Sequence, residues 1–247
     1  MKPAAGSGCP RCRYHFGVGN STPGCFVVAV DGPSGSGKSS ASRGAARALG
    51  LRYLDTGAMY RALTWWLMDV PADTADEALV ASLAAEPVIE VSTDPDDPWT
   101  RVNGTDVSRD IRTREVSERV SAVARVAAVR RHLIAQQRAI IAAAAGGIVA
   151  EGRDIGTVVA PDAPLKVFLT ADSEARAQRR ADEQGAAVDV TEADQARRDR
   201  LDAAQSAKAA DAVLIDATDL TLAEVIDAIA GLARQKAPLA CAGDKSS

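Results

Sequence analysis

Short apolar runs separated by helical patterns recur along the chain and predict its secondary structure. The first run, residues 25–30, is apolar at every position, which is typical of a central strand in a parallel sheet that helices cover on both faces. Similar runs follow at 148–150, 165–169 and 212–215. Helical patterns lie between these runs, so the sequence predicts an α/β fold with a doubly wound parallel sheet.

Several helices are marked by their ends. Residues 39–49 contain no proline and are followed by a glycine, which is a common helix C-terminus. Ser173 precedes a charged helix, and Thr221 with Glu224 three residues later predicts a capping box. Residues 113–145 predict either two helices or one kinked helix.

The middle of the chain follows a different pattern from the predicted core. Residues 88–91 and 99–102 are typical of short strands, and Asn103-Gly104 is typical of a two-residue hairpin turn. The preceding helix is expected to begin near Ala58. We therefore expect an inserted lobe within an otherwise continuous core.

A glycine-rich loop follows the first predicted strand. Residues 32–39, GPSGSGKS, match the pattern G-x-x-x-x-G-K-[ST] and precede a predicted helix, the context in which this pattern binds phosphates. Backbone N–H groups and the helix N-terminus would bind the anion, Lys38 would reach the β- and γ-phosphates of ATP, and Ser39 would contact Mg²⁺. The predicted ATP-binding residues are Gly32, Pro33, Ser34, Gly35, Ser36, Gly37, Lys38, Ser39 and Ser40.

The loop sequence by itself permits other interpretations. Glycine-rich turns also join strands to helices only for tight packing. The loop alone does not choose among kinases, GTPases and motor ATPases. The sequence contains no Asn-Lys-x-Asp tetrapeptide, which weakens the GTPase alternative.

Two further segments could bind the second substrate. Arg61 lies about one turn into the helix expected near Ala58, where its guanidinium could bind an acceptor phosphate. At the end of the strand 148–150, Glu151 could help to hold hydrated Mg²⁺ and Arg153 could bind the acceptor phosphate. The alternatives are a solvated surface residue for Arg61, and capping or salt bridges for the other two.

Cations also cluster on the charged helix after Ser173. Arg176, Arg179 and Arg180 lie along little more than one turn, where they repel one another unless an anion or acidic residues relieve them. A lid that closes over phosphate would have this pattern. A solvated helix face balanced by nearby acidic residues is the alternative.

Composition limits the function classes. The 247 residues are 47% hydrophobic, and the formal net charge is −4, so no overall positive field attracts nucleic acid or an anionic membrane. The apolar stretch 139–150 is too short for a membrane span, and residues 1–24 lack the apolar region of a secretory signal. We expect a cytoplasmic protein with a flexible leader, although Cys9, Cys12 and His15 leave a zinc clamp as an alternative.

Taken together, five segments resemble the bacterial cytidylate kinase family. They are 31–40 (DGPSGSGKSS), 54–61 (LDTGAMYR), 111–116 (IRTREV), 151–157 (EGRDIGT) and 161–164 (PDAP). The resemblance extends from about Phe26 to Leu232 and implies a nucleoside monophosphate kinase of pyrimidine nucleotide metabolism. Such an enzyme transfers the γ-phosphoryl of ATP to CMP, and to dCMP, with Mg²⁺ as cofactor and small nucleotides as its partners.

The resemblance also implies domain boundaries. The kinase domain would span residues 25–233, with its core at 25–57 and 131–233. The lobe that binds the monophosphate would span about 58–130 and the lid about 174–205, while 234–247 would be a polar tail. We expect a monomer.

Site residues follow from the same resemblance. Lys38 with Arg153, Arg176, Arg180 and Arg198 would act on the transferring phosphoryl. The residues expected to bind CMP are Thr56, Tyr60, Arg61 and Arg153 at its phosphate, Ser121, Arg130 and Asp154 at its base, and Asp202 at its ribose.

One departure from the family pattern keeps alternatives open. Gln205 stands where the family usually has an arginine that contributes to nucleotide binding, and several residues after it are missing. Glutamine does not replace a bidentate cation. The alternatives are a kinase of another acceptor, such as UMP or a shikimate-type metabolite, and a weakened nucleotide-binding paralogue or regulatory module.

Overall fold

The computed structural model describes residues 26–70, 73, 76–184, 197, 200–201 and 206–237. The predicted leader and most of the polar tail lie outside these residues, as do Cys9, Cys12 and His15. The described residues form eight strands: β1 (Val27–Asp31), β2 (Arg52–Asp55), β3 (Ile89–Val91), β4 (Thr100–Val102), β5 (Thr105–Asp106), β6 (Ile148–Gly152), β7 (Leu165–Thr170) and β8 (Val213–Asp216).

Seven α-helices are described with them. They are α1 (Lys38–Leu49), α2 (Thr56–Asp69), α3 (Glu77–Leu83), α4 (Arg114–Arg125), α5 (Ala127–Ala143), α6 (Ser173–Gln184) and α7 (Leu222–Lys236). A 3₁₀ turn spans Asp110–Arg112, and a π-helical turn spans Ile155–Val159. None of the helices in this part of the chain combines the length and the apolar composition that a membrane span needs.

The central sheet is parallel and has the strand order β2-β6-β1-β7-β8. The predicted α/β fold is therefore confirmed. β1 lies in the middle, where every one of its residues is buried, as its continuous apolar run indicates. At its end, Asp31 pairs in register with Gly152 of β6 and Phe168 of β7, so the carboxyl ends of three strands meet at one edge.

Helices cover both faces of this sheet. Val28 and Val30 of β1 pack in one cluster with Ala45 of α1 and Ile229 of α7. The alternate residues, Val27 and Ala29, pack in a second cluster, to which α2 and α5 contribute. This alternation follows from the two-residue side-chain period of a strand, so a single buried strand anchors two hydrophobic layers.

Local signals explain the helix bounds. The predicted capping box is confirmed, because Thr221 Oγ1 accepts from Glu224 N at 3.3 Å and Glu224 Oε2 accepts from Thr221 N at 2.9 Å. Residues 113–145 form two helices, which separate at Val126 with ψ of 120°. α2 begins at Thr56, two residues before Ala58, because Asp55 accepts from Ala58 N at 2.9 Å and caps the helix there.

A smaller antiparallel sheet, β3-β4-β5, lies in the middle of the chain. Asn103 and Gly104 have φ of 50° and 80°, as the predicted hairpin turn requires at both of its central residues. The sheet packs on α2 through a cluster that contains Ala62, Val102 and Ile111. The second strand of this hairpin, β5, has only two residues and was not predicted from the sequence.

Candidate active site

The phosphate loop connects β1 to α1 at the edge of the parallel sheet. Gly35 and Gly37 adopt φ of 74° and 84°, a region that favours glycine. Gly32 lies against β7, where an added Cβ would come within 2.1 Å of the Leu169 carbonyl oxygen. Lys38 Nζ donates to the Pro33 carbonyl at 3.3 Å, which places the ammonium over the loop. The geometry therefore matches a loop whose amides and lysine surround an anion.

Two arginines from distant segments reach this loop. Arg153, after β6, donates from Nη1 to the Gly32 carbonyl at 3.0 Å. Arg176, on α6, donates from Nη1 to the Ser34 carbonyl at 3.1 Å. Both guanidinium groups therefore lie beside the position where the loop would bind phosphates.

Asp31 fixes the segment that carries Arg153. Its carboxylate is buried and accepts from Ile155 N at 2.7 Å and from Gly156 N at 2.8 Å. Burial raises the pKa of Asp31, although the two backbone N–H groups oppose that increase. The end of β1 and the turn after β6 are thus joined by two hydrogen bonds to one side chain.

Two carboxylates lie side by side at the ends of β2 and β6. Asp55 and Glu151 are paired in register. Burial raises the pKa of Glu151, and the neighbouring charge of Asp55 raises it further. Burial alone would also raise the pKa of Asp55, but Arg112, at 2.7 Å from Oδ2, lowers it below its ordinary value. The site therefore holds one ionised carboxylate beside a second carboxyl group that favours a proton or a cation.

Glu151 has an oxygen suited to a metal ion or its water shell. Tyr53 Oη donates to Glu151 Oε1 at 3.0 Å. Glu151 Oε2 is buried and accepts no hydrogen bond from any residue that the structure describes. Ser39 lines the same cleft. A hydroxyl and a carboxylate oxygen without a partner form a donor set that fits hydrated Mg²⁺.

The far side of the cleft comes from α2, α4 and α5. Arg130 of α5 forms a half-buried ion pair with Asp154, beyond the end of β6. Tyr60 of α2 and Ser121 of α4 line the cleft beside this pair. This end combines an aromatic ring, a hydroxyl and an ion pair, which are groups that can bind a polar heterocycle.

The sequence profile of the family described as cytidylate kinase matches residues 28–235 of the chain. The chain belongs to the cytidylate kinase family. It is 51% identical over 215 residues to a cytidylate kinase of Streptomyces griseus subsp. griseus, covering 85% of this chain and 93% of that protein.

Two further proteins resemble this chain, one closely in sequence and one only weakly. A cytidylate kinase of Streptomyces avermitilis is 48% identical over 225 residues, covering 89% of this chain and 97% of that protein. A shikimate kinase from Acinetobacter baumannii, solved in complex with shikimate, is 13% identical with a TM-score of 0.39, covering 85% of this chain and 90% of that one. The second likeness is too weak to support an inference about the acceptor.

Most residues that the family resemblance implied lie in one cleft. The predicted residues that line it are Ser34, Gly35, Gly37, Lys38, Ser39, Ser40, Thr56, Tyr60, Arg61, Ser121, Arg130, Glu151, Arg153 and Asp154. Gly32 and Pro33 contribute carbonyl groups to the hydrogen bonds described above, and Ser36 is buried in the loop. Arg180 lies on α6, but its side chain is outside the described part, as are Arg198, Asp202 and Gln205.

Arg61 and Thr56 also make hydrogen bonds to other segments of the protein. Arg61 is only 8% exposed, so the alternative that it is a solvated surface residue is wrong. Its Nη1 donates to the Ile111 carbonyl at 3.1 Å and to Ser117 Oγ at 3.0 Å. Thr56 Oγ1 donates to the Glu151 carbonyl at 2.7 Å. Both side chains therefore also join α2 to its neighbours.

Asp55, Arg112 and Tyr53 had no predicted role from the sequence. Arg112 lies in the segment 111–116, which was recognised as a family motif without a role for this residue. Asp55 ends a strand of the parallel sheet, the place where such sheets bind ligands, and that position was the available signal. The contact of Tyr53 with Glu151 spans 98 residues of sequence and has no local signal.

Proposed function

We propose that this chain transfers the γ-phosphoryl of ATP to CMP, giving CDP and ADP, and that dCMP is a second acceptor. The observation that supports this most directly is the 51% identity to a cytidylate kinase over 215 residues. A nucleoside monophosphate kinase is thus favoured over the shikimate-type kinase and over the weakened paralogue. The reaction belongs to pyrimidine nucleotide metabolism.

At the donor end, ATP would bind along the phosphate loop. Backbone amides of residues 32–40 would surround the β- and γ-phosphates, and Lys38 would reach them from the start of α1. Ser36 Oγ is buried and has no hydrogen-bond partner among the residues that the structure describes. A phosphate oxygen in the loop would supply that partner.

At the acceptor end, the CMP phosphate would lie near Arg153, with Thr56, Tyr60 and Arg61 around it. The ion pair between Arg130 and Asp154 would contact the cytosine. A carboxylate can accept from an exocyclic amine, and a guanidinium can donate to a carbonyl or ring nitrogen, so this pair suits the polar edge of cytosine.

Transfer would proceed by in-line attack of a CMP phosphate oxygen on the γ-phosphorus. The attacking phosphate is already largely ionised at neutral pH, so no general base is required. Lys38, Arg153 and Arg176 lie at the loop, where their charges would stabilise the transferring phosphoryl. Arg180 and Arg198 are proposed to join them from the lid.

We also propose Mg²⁺ as the metal. Ser39 would bind it directly, and Glu151 would hold it through water. When bound, the ion would neutralise charge on the β- and γ-phosphate oxygens. The unpartnered Oε2 of Glu151 and its raised pKa support this assignment, since a nearby cation favours the ionised carboxylate.

We propose that residues 58–130 form the monophosphate lobe and 174–205 the lid, and that the enzyme acts as a monomer in the cytoplasm, where its nucleotide substrates are found. The net charge of −4 gives no reason to expect nucleic acid as a partner.

The decisive experiment measures ADP release from ATP and Mg²⁺ with a panel of acceptors. The panel contains CMP, dCMP, UMP, AMP and shikimate at equal concentrations. We expect the largest kcat/KM for CMP and a measurable value for dCMP. A preference for shikimate or AMP, or the absence of turnover without a protein partner, would refute the proposed function.

Two variants test the assigned charges. Lys38→Ala and Arg153→Ala should each lower kcat for CMP by about 10²- to 10³-fold, the loss typical of removing one preorganised charge. Arg101→Ala is the control, because Arg101 lies on β4 outside the cleft and stacks on Trp99 at 4.4 Å from its ring centroid. Full CMP-dependent turnover by either cleft variant would contradict the assignment.

A further inference from the structure

A glutamine side chain is buried in the apolar face of α5. The buried residues of this helix are Val129, Leu133, Gln137 and Ile141, which follow one another at intervals of four. Gln137 is only 1% exposed. Its Nε2 donates to none of the residues that the structure describes. A buried amide without a partner destabilises a fold, so a polar group here needs a compensating contact.

The complementary group is the Tyr60 hydroxyl on α2. Tyr60 Oη is also buried and also makes no hydrogen bond within the described part of the chain. Burial raises the pKa of Tyr60 to about 12, while the charge of Arg130 and, less strongly, the nearby Gln137 amide oppose that increase. The phenol is therefore protonated at neutral pH, and its oxygen can accept a hydrogen bond from an amide N–H.

Tyr60 lines the acceptor end of the cleft, and its helix α2 contacts α5, which carries Gln137. Arg130 lies seven residues before Gln137 on α5, two turns along the same side of the helix. Arg130 pairs with Asp154, and both line the cleft together with Tyr60. A single helix thus carries both a cation at the cleft and a buried amide.

We propose that Gln137 is a positioning residue for the acceptor nucleotide: its Nε2–H donates to Tyr60 Oη when the acceptor binds, and this holds the ring in place against the acceptor. The inference rests on the proposed function, because it assumes that Tyr60 is part of the site that binds the acceptor nucleotide. Gln137 itself does not touch the substrate.

The kinetic test compares Gln137→Leu with a matched control, Gln136→Leu. Gln136 is the next residue of α5, but its Nε2 faces His132 Nε2 at 3.0 Å. Gln137→Leu should raise KM for CMP by about three- to tenfold, the effect of one neutral hydrogen bond. KM for ATP and kcat should change by less than about twofold, since the donor end does not contact this pair. Gln136→Leu should leave all three values unchanged.

A double-mutant cycle tests the contact itself. Tyr60→Phe should raise KM for CMP by a similar factor, and Tyr60→Phe with Gln137→Leu should raise it no further than either single change. Independent, multiplying effects of the two changes would overturn the proposal. An unchanged KM for CMP in Gln137→Leu, or an equal rise in KM for ATP, would also overturn it.

Thermal unfolding supplies a readout that does not depend on activity. With CMP bound, each single change leaves one polar group buried alone and should lower the melting temperature, whereas the double change removes both groups and should recover part of the loss. If Gln137→Leu does not fold, Gln137→Met replaces it with a similar length and volume. A fully additive loss of stability would contradict the contact. Wild-type enzyme that fails to use CMP would instead refute the proposed function.

Discussion

The contact between the phosphate loop and β7 permits a quantitative prediction for Gly32→Ala. The added Cβ would lie 2.1 Å from the Leu169 carbonyl oxygen and 3.3 Å from Ser36 Oγ. Ordinary carbon–oxygen contacts are about 3.3–3.6 Å, so the overlap with the carbonyl is about 1.2 Å. Leu169 is fully buried in the parallel sheet and has little room to move. The start of the loop must therefore shift away from β7.

The shift should affect stability and rate differently. Overpacking of a buried site costs about 1–3 kcal/mol of unfolding free energy, which corresponds to a fall in melting temperature of about 2–12 °C for a domain of this size. Displacement of catalytic groups by about 1 Å lowers rates about 10²-fold. We expect kcat for CMP to fall by about that factor in a protein that still melts cooperatively.

The assays are ADP release and thermal melting followed by circular dichroism. Gly231→Ala is the matched control, because Gly231 lies inside α7 and an added Cβ would have no atom within 4 Å. That change should raise the free energy of unfolding by about 0.5–1 kcal/mol, through helix propensity, and leave kcat unchanged. Wild-type kcat and melting temperature in Gly32→Ala would refute the reasoning about the loop.

Three further predictions concern charges and a helix cap. Arg112→Gln removes the ion pair between Arg112 and Asp55, which are 2.7 Å apart, and leaves the Asp55 charge uncompensated beside Glu151. The value of kcat/KM for CMP should fall about tenfold. An unchanged value would exclude a role for this ion pair in turnover. The partner Lys166 lowers the pKa of Asp211 from 3.8, so the pair stabilises the fold above that pH. Asp211→Asn should melt slightly lower than wild type at pH 7, and the difference should shrink as the pH falls below 3.8. Thr221→Ala should lower the free energy of unfolding by about 0.5–2 kcal/mol with normal turnover, and equal melting curves would contradict the capping box.

The sequence predicted best those features that depend on neighbouring residues. The β1 strand, the phosphate loop and α1 follow from one apolar run, one glycine pattern and one helix start, each within a few residues. The capping box of Thr221 was likewise visible at a spacing of three residues. Such signals are local, and packing in the tertiary structure does not overturn them here.

The features that the sequence did not predict depend on contacts over long separations. Arg112 and Asp55 are 57 residues apart, and neither residue type alone indicates that they meet. The burial of the Arg61 side chain goes with its hydrogen bond to the Ile111 carbonyl, 50 residues away. Gln137 has the pattern of an ordinary polar helix residue, and only the packing of α5 buries it. A two-residue strand such as β5 is too short for any periodicity to reveal.

The length of α2 has a mechanical consequence. This helix has 14 residues and so is about 21 Å long. Its first turn begins at the parallel sheet, where Asp55 caps it, and its body packs against the small sheet and α4. A rod of that length, pivoting by about 10° at its capped end, moves its other end by about 3.7 Å. A small rotation of the first turn would therefore appear as a displacement several times larger at the far end of α2.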